Sequence, residues 1–269
     1  MTVDLPSNVR YRLWDVPNAK AVLLLVHGLG GHTGRWEPLA KFFANRGIAS
    51  CALCLRGFGD SPGIKGDIDS FHTYLRDIDS LAAVIRAKYP TQKIFMLGES
   101  LGGLIVFLAA IELGEIFKGL ICLSPAFSDT LHIRAGVFWK VILSSIFMPK
   151  KQFLVPLSLS CCSRDEQLVK QMEADPREHR FATARLLTQT LFAQQRAKAF
   201  INGLKMPVLF LLSGRDTVVS TDASVRIFKS LKCSDKTVKV YAEMYHALSI
   251  DLGRDSVFED ILNWVARRL

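Results

Sequence analysis

Short apolar runs alternate with longer amphipathic segments along most of the chain. Apolar runs bounded by turn residues are typical of buried strands, and strands are predicted at residues 21–26, 48–55, 119–123, 208–212 and 237–242, with a weaker candidate at 10–14. Apolar positions at helical spacing predict helices near residues 36–45, 71–89, 221–231 and 256–268. This alternation predicts an α/β fold with a mostly parallel central sheet, flanked by helices and joined by right-handed crossovers.

The alternation breaks between residues 126 and 203. This stretch carries long helical patterns and several charges but no clear strand pattern. We therefore expect residues 1–125 and 204–269 to form one α/β core domain, and residues 126–203 to form an inserted helical cap.

Within the expected cap, residues 137–148 are apolar except for Lys140, Ser144 and Ser145, which share one narrow face at helical pitch. The resulting helix would be roughly 18 Å long, too short to span a bilayer. Two interpretations stay open. The helix packs inside the cap against the core, or it lies on a membrane surface and roofs a site for a fatty acyl chain.

Composition and charge narrow the class of partner. The chain has 34 Lys and Arg against 25 Asp and Glu, a net charge of +9. These basic residues are scattered and accompany no nucleic-acid-binding motif, so we expect no nucleic-acid partner. Lys150 and Lys151 directly follow the apolar helix and would suit an anionic membrane surface.

The cysteines and the first residues of the chain indicate the cellular compartment of the protein. The six cysteines lie mostly in apolar surroundings, which favours free thiols in a reducing compartment. The first residues lack the basic and apolar regions of a secretory signal, and no apolar window is long enough for a membrane span. The sequence therefore predicts a cytoplasmic protein, with peripheral membrane contact through the cap as a further expectation.

A tight turn between a strand and a helix offers a candidate nucleophile. Residues 94–97 read as a buried strand, Gly98-Glu99-Ser100-Leu101-Gly102 follows, and a longer apolar run then reads as a helix. The two glycines are needed because so sharp a turn strains the serine and leaves no room for neighbouring side chains. The helix N-terminus would also favour developing negative charge beside Ser100.

A serine hydroxyl needs a base, and on a sheet of this kind the histidine follows the serine along the chain. His132, His179 and His246 lie after Ser100. His132 and His179 fall inside the expected cap, whereas His246 follows a strand and would lie at the carboxyl edge of the sheet. We therefore predict that His246 is the base.

The histidine in turn needs a carboxylate that fixes its tautomer. Asp216 directly follows the predicted strand at 208–212, which places it at the same edge of the sheet. Asp222, at a helix start where capping is the usual role, and Asp251, just beyond His246, are the alternatives. We favour Asp216.

Acyl transfer also requires N–H donors for the oxyanion. The residue after the nucleophile and the loop after an early strand supply them on such a sheet, which selects the backbone N–H groups of Leu101 and Leu29. The glycine-rich loop around Leu29 could instead cradle a phosphate. It lacks the Gly-Lys-Ser/Thr ending and the dinucleotide-type glycine spacing, so a nucleotide site is disfavoured.

These motifs, in this order, resemble the α/β-hydrolase superfamily and, within it, the monoacylglycerol lipase and lysophospholipase-like branch. The resemblance rests on His27-Gly28-Leu29-Gly30-Gly31-His32 with Trp36, Arg56-Gly57-Phe58-Gly59-Asp60-Ser61, Gly98-Glu99-Ser100-Leu101-Gly102-Gly103, Gly214-Arg215-Asp216 and Tyr245-His246. It implies Ser100, Asp216 and His246 as the catalytic residues, and Leu29 and Leu101 as oxyanion donors. It implies no metal or organic cofactor.

Two departures from the branch are visible. Val219 stands where many of these lipases carry a cysteine after the catalytic aspartate, and the loop at Arg56 reads Gly-Phe-Gly where Gly-His-Gly is more common. Substrate contacts are expected from residues close to the serine or in the apolar cap helix, namely Gly28, Phe138, Trp139, Ile142 and Val219.

The function expected from the sequence is hydrolysis of a lipophilic ester, with monoacylglycerol as the substrate, through an acyl-enzyme on Ser100. A lysophospholipase, a broad carboxylesterase or a thioesterase is the alternative. A peptidase is a less favoured alternative, which would keep the same three residues and differ in cap and pocket. A binding protein without catalysis on the same scaffold is less favoured because all three catalytic candidates are present.

Overall fold

The computed structural model describes residues 2–4, 9–128 and 135–269. Within these residues a central sheet contains eight strands, namely β1 (Thr2–Asp4), β2 (Arg10–Trp14), β3 (Ala21–Val26), β4 (Ile48–Leu53), β5 (Lys93–Glu99), β6 (Gly119–Leu123), β9 (Val208–Ser213) and β10 (Lys236–Tyr241). Their spatial order is β1-β2-β4-β3-β5-β6-β9-β10. The pairs β1–β2 and β2–β4 are antiparallel, and every other neighbouring pair is parallel. The predicted mostly parallel sheet is confirmed.

Helices cover both faces of this sheet. The described helices are α1 (Glu37–Ala44), α2 (Phe71–Lys88), α3 (Leu101–Glu112), α4 (Ala135–Phe147), α5 (Glu166–Ala174), α6 (Ala184–Ala199), α7 (Thr221–Ser230) and α8 (Arg254–Ala266). The helices α2 and α3 pack on one face, and α1 and α8 pack on the other. The expected flanking helices are therefore present.

The strand β3 shows why the apolar runs become central strands. Its alternate residues belong to two different apolar clusters, so Leu24 packs on the side of α3 and Leu23 on the side of α8. Both side chains are fully buried, and each contributes about 2 kcal/mol of hydrophobic stabilisation relative to exposure. A strand buried on both faces must be apolar at every position, which is the pattern that the sequence shows.

Residues 135–203 contain more than helices. Between α4 and α6 the chain forms two short antiparallel strands, β7 (Gln152–Leu154) and β8 (Phe181–Thr183). The sequence predicted no strand in this stretch, and that interpretation was wrong. Strands of three residues are too short to show an alternating pattern, and their pairing depends on contacts between distant parts of the chain.

The apolar side of α4 faces solvent. Val141 and Ser144 are buried where α4 packs against α6, whereas Trp139 is 60% exposed and Phe147 is 77% exposed. The helix is therefore oriented opposite to an ordinary surface helix, with a serine inside and aromatic residues outside. In the ranges that the structure describes, no helix has both the length and the apolar character needed to cross a bilayer.

Candidate active site

Ser100 lies at the turn between β5 and α3, as the sequence predicted. Its φ and ψ angles are 57° and −120°, a region that costs a residue with a side chain about 1–3 kcal/mol. The turn is held by two backbone hydrogen bonds, from Ser100 N to Leu123 O at 3.0 Å and from Ala126 N to Ser100 O at 3.0 Å. The strained residue is also partly exposed, so its hydroxyl is presented where β5 ends.

The two glycines around the serine are required by close packing. A Cβ atom on Gly98 would lie 2.3 Å from Gly102 O, and a Cβ atom on Gly102 would lie 2.1 Å from Val26 O. Both contacts are with backbone atoms, which cannot move aside without distorting α3 or β3. The structure therefore shows the steric crowding that the sequence analysis expected at both glycines.

His246 and Asp216 form a buried hydrogen-bonded pair. The two atoms His246 Nδ1 and Asp216 Oδ2 are 2.8 Å apart, and both side chains are almost fully buried. The other carboxylate oxygen, Asp216 Oδ1, accepts hydrogen bonds from the backbone N–H groups of Val218 and Val219, each at 2.9 Å. Three donors therefore hold the carboxylate in one orientation, and it can fix the tautomer of the imidazole.

The alternative residues have other partners. The buried carboxylate of Asp251 accepts hydrogen bonds from Arg164 N, Arg164 Nε and Tyr245 N at 2.7–3.0 Å. Asp222 lies in the first turn of α7 and is exposed. His179 Nε2 is 2.9 Å from Gly57 O, and His132 lies outside the described residues. Asp216 is thus the carboxylate that contacts His246.

The expected oxyanion donors belong to the two segments that meet at Ser100. Leu101 is the first residue of α3, and Leu29 lies in the loop after β3. In the described part of the chain, no protein acceptor takes either N–H group. Gly28 packs directly on the β5–α3 turn that carries Ser100, which we call the elbow. A Cβ atom on Gly28 would lie 3.0 Å from Ser100 Cβ. Two free N–H donors near a serine hydroxyl are what an oxyanion requires.

His27 supports the loop that carries Leu29. It is fully buried, its Nδ1 donates to Gly28 O at 2.8 Å, and its Nε2 accepts from Leu55 N at 3.1 Å. Burial lowers the pKa of His27 from 6.5 to about 3. The imidazole is therefore neutral at physiological pH and acts as a structural link between β3 and the segment after β4.

The loop between β10 and α8, which carries His246 and is called the histidine loop below, makes two contacts that the sequence did not predict. Glu99, next to Ser100, accepts hydrogen bonds from Ser249 N at 2.9 Å and from Ser249 Oγ at 2.8 Å. On the other side, His246 N donates to Cys161 O at 3.3 Å and Ala247 N donates to Cys162 O at 2.9 Å. Neither contact leaves a motif in the sequence, because the partners are 150 and about 85 residues apart.

A cavity of about 460 Å³ lies beside Leu29. Its walls combine apolar side chains, from Leu29, Leu154, Leu157, Leu159, Met172 and Phe181, with a similar amount of polar surface from groups that include Arg35, Glu178 and His179. Arg35 forms a two-pronged ion pair with Glu178 there. A cavity that combines apolar walls with fixed polar groups can hold an amphipathic small molecule.

The expected substrate contacts fall into two groups. Gly28 contacts the elbow, and Val219 is buried in the loop that holds Asp216. Phe138 and Trp139 lie on the exposed side of α4, and Ile142 is half-buried on the same helix. None of the three helix residues lines the cavity beside Leu29. Over the residues with described side chains, no cluster of His, Cys, Asp and Glu has the arrangement of a metal site.

Known proteins share this architecture. Residues 17–253 match the model of the Hydrolase_4 family, described as serine aminopeptidase, S33. The human monoglyceride lipase is 29% identical over 93% of this chain and 83% of its own length. The monoacylglycerol lipase of Mycolicibacterium smegmatis is 25% identical over 96% of this chain and 93% of its own.

A solved structure agrees with the sequence comparisons. The crystal structure of Paleococcus ferrophilus monoacylglycerol lipase superposes with a TM-score of 0.89, at 26% identity over 97% of this chain and 99% of that chain. The chain therefore belongs to the Hydrolase_4 family of α/β hydrolases.

Proposed function

We propose that this protein is a serine carboxylester hydrolase that cleaves monoacylglycerols through an acyl-enzyme on Ser100. The observation that carries the proposal is the strained serine at the β5–α3 turn, combined with the 2.8 Å pair of His246 and Asp216. The similarity to monoacylglycerol lipases over almost the whole chain supports the substrate class.

The proposed reaction has two halves. His246 takes the proton from Ser100, and the serine oxygen attacks the ester carbonyl carbon while Leu29 N–H and Leu101 N–H bind the oxyanion. The imidazolium, stabilised by Asp216, then protonates the departing alcohol. Water, deprotonated by His246, releases the fatty acid and regenerates the serine.

The cavity beside Leu29 supports a lipophilic substrate. Its apolar walls would remove an acyl or alkyl chain from water, at about 0.8 kcal/mol for each buried CH₂ group. The ion pair of Arg35 and Glu178 at the same cavity presents donors and acceptors that a glycerol hydroxyl could use. A substrate with one apolar and one hydroxylated end therefore suits both parts of this lining.

Labelling with a fluorophosphonate tests whether Ser100 is the nucleophile. Wild type should be labelled and Ser100→Ala should not, whereas Ser80→Ala, a serine on α2 bonded within its own helix, should label like wild type. Labelling of Ser100→Ala at the wild-type rate would refute the assignment.

A substrate panel tests the choice of ester. Monoacylglycerols should be hydrolysed faster than lysophospholipids, acyl thioesters and short p-nitrophenyl esters. Because the family description names an aminopeptidase, aminoacyl amides belong in the same panel. Turnover of the amides alone would show that the protein is a peptidase and not a lipase.

We further propose that residues 126–203 act as a cap and that α4 contacts an anionic membrane surface. Large apolar side chains project from α4 into solvent, and Lys140, Lys150 and Lys151 lie on or beside it. Burying the apolar side in the interface while the lysines meet acidic headgroups would stabilise this orientation. The buried free cysteines favour the reducing cytoplasm as the location.

Vesicle sedimentation tests the membrane contact. Wild type should bind vesicles that contain phosphatidylserine more strongly than pure phosphatidylcholine vesicles, and Ile146→Ser with Phe147→Ser should weaken binding. Val240→Ser changes a similarly exposed apolar residue on the edge strand β10 and should not alter binding. Equal binding by both variants would exclude α4 as the contact.

A further inference from the structure

The carboxylate of Glu99 connects the two halves of the site. It belongs to the last residue of β5, directly before Ser100, and it is buried. Its two oxygens accept hydrogen bonds from the backbone and the hydroxyl of Ser249, which lies three residues after His246 and is fully buried. The strand that ends in the nucleophile is thereby tied to the loop that carries the base.

The surroundings of Glu99 favour its charged form only in part. Burial raises the pKa of Glu99 above its usual value, and the Ser249 donors and the charges of His246 and Arg35 offset that rise only in part. Arg35, which lies in the 3-10 turn Thr33–Trp36, is already neutralised by its ion pair with Glu178. Glu99 also faces the thiol of Cys162. Burial raises the pKa of this thiol to about 11, so the thiol is neutral at physiological pH.

We propose that Glu99 is a positioning residue, which fixes the histidine loop through Ser249 and stabilises the positive charge that forms on His246 during the reaction. The proposal rests on the assignment of Ser100, Asp216 and His246 made above. Asp216 contacts the imidazole directly, and Glu99, when ionised, would add a second negative charge in the same buried region. When His246 takes the serine proton, the imidazolium would then interact with two carboxylates in a medium that screens charges poorly.

The variants Glu99→Gln and Ser249→Ala separate charge from geometry. Glutamine has the same shape, and its carbonyl oxygen can accept from Ser249 N while its amide donates to Ser249 Oγ. Glu99→Gln therefore keeps both hydrogen bonds and removes the charge. Ser249→Ala keeps the charge and one hydrogen bond. The two variants thus test different parts of the same contact.

For Glu99→Gln we expect kcat to fall roughly tenfold at pH 8, with KM little changed. The acid limb of the pH–rate profile should move down by roughly one pH unit, because loss of a nearby negative charge lowers the pKa of a histidine. For Ser249→Ala we expect less than about a fivefold loss of kcat, with the acid limb unmoved. A tenfold loss in Glu99→Gln with an unshifted acid limb would mean that Glu99 is only structural and would overturn the electrostatic part.

The rate of fluorophosphonate labelling as a function of pH gives the same comparison without any natural substrate. If wild type is labelled but hydrolyses no lipid ester, the proposed substrate fails while the role of Glu99 is still tested. Titration of the His246 imidazole by NMR provides a readout that needs no reaction. Equal titration midpoints for His246 in wild type and Glu99→Gln would overturn the proposal.

Discussion

Replacing Asp216 by asparagine changes one atom of the candidate site, and the structure fixes how the new side chain must lie. Asp216 Oδ1 accepts two backbone N–H groups, from Val218 and Val219. The asparagine oxygen must take that place, because an NH₂ group there would face two donors and leave both unpaired. The amide NH₂ group then points at His246 Nδ1, where the carboxylate oxygen was.

This orientation inverts the hydrogen bond to the histidine. His246 Nδ1 would have to accept from the amide, so the proton moves to Nε2, and Nε2 can no longer take the proton of Ser100. Rotating the amide to avoid this loses two buried hydrogen bonds, at about 1 kcal/mol or more each. The same change in a serine–histidine–aspartate triad lowers kcat by about 10⁴-fold, which corresponds to about 5 kcal/mol of transition-state stabilisation. We expect a loss of that size.

The assay is hydrolysis of a chromogenic ester at pH 8, with the thermal midpoint measured beside it. Asp216→Asn should lose about 10⁴-fold in kcat, and Asp222→Asn, on the exposed first turn of α7, should keep wild-type activity and stability. If Asp216→Asn kept more than a tenth of wild-type kcat with an unchanged fold, Asp216 would not be the residue that orients His246.

Three further outcomes follow from packing and burial. Asp251→Ala removes the acceptor for Arg164 and should cost about 3 kcal/mol in the free energy of unfolding, measured by urea denaturation; a change below 1 kcal/mol would contradict the observed contacts. Gly102→Ala should prevent folding, or lower the free energy of unfolding by more than about 3 kcal/mol, because the new Cβ atom meets a backbone oxygen. Gly136→Ala has open space around it and should raise the free energy of unfolding by up to about 1 kcal/mol through helix propensity. Because the folded-state pKa of His27 is about 3 against 6.5 in the unfolded chain, the unfolded state binds the proton first as the pH falls, and stability should drop by about 2 kcal/mol between pH 7 and pH 5. His27→Gln should lose this pH dependence, and an unchanged slope would argue against a buried neutral imidazole.

Elements buried on two faces could be predicted closely from the sequence. The strands Ala21–Val26 and Gly119–Leu123 have the predicted bounds, because a segment enclosed by helices on both sides can carry only apolar residues. The elbow at Ser100 could be predicted because its geometry excludes side chains at both flanking glycines. In both cases the local environment permits only a few residue types, namely apolar residues in the strands and glycine beside the serine.

Features that depend on distant contacts could not be predicted. The strands β7 and β8 are held by each other and not by their own sequence pattern. The helix at 137–148 was foreseen, but its orientation was not, because apolar positions alone do not say whether core, substrate or membrane will cover them. Asp251 was weighed as an alternative acid, and only the contacts of Arg164 and Tyr245 reveal its structural role.

The backbone hydrogen bonds from His246 and Ala247 to Cys161 and Cys162 limit how this protein can be recombined with its relatives. A segment that carries Cys161 and Cys162 brings its own carbonyl groups to the histidine loop. Exchanging residues 126–203 as one block would therefore separate His246 from the surface on which its loop rests. A chimera with junctions on either side of α4 exchanges only the exposed helix and preserves that surface. A larger exchange preserves it only if residues 159–165 move together with 244–252.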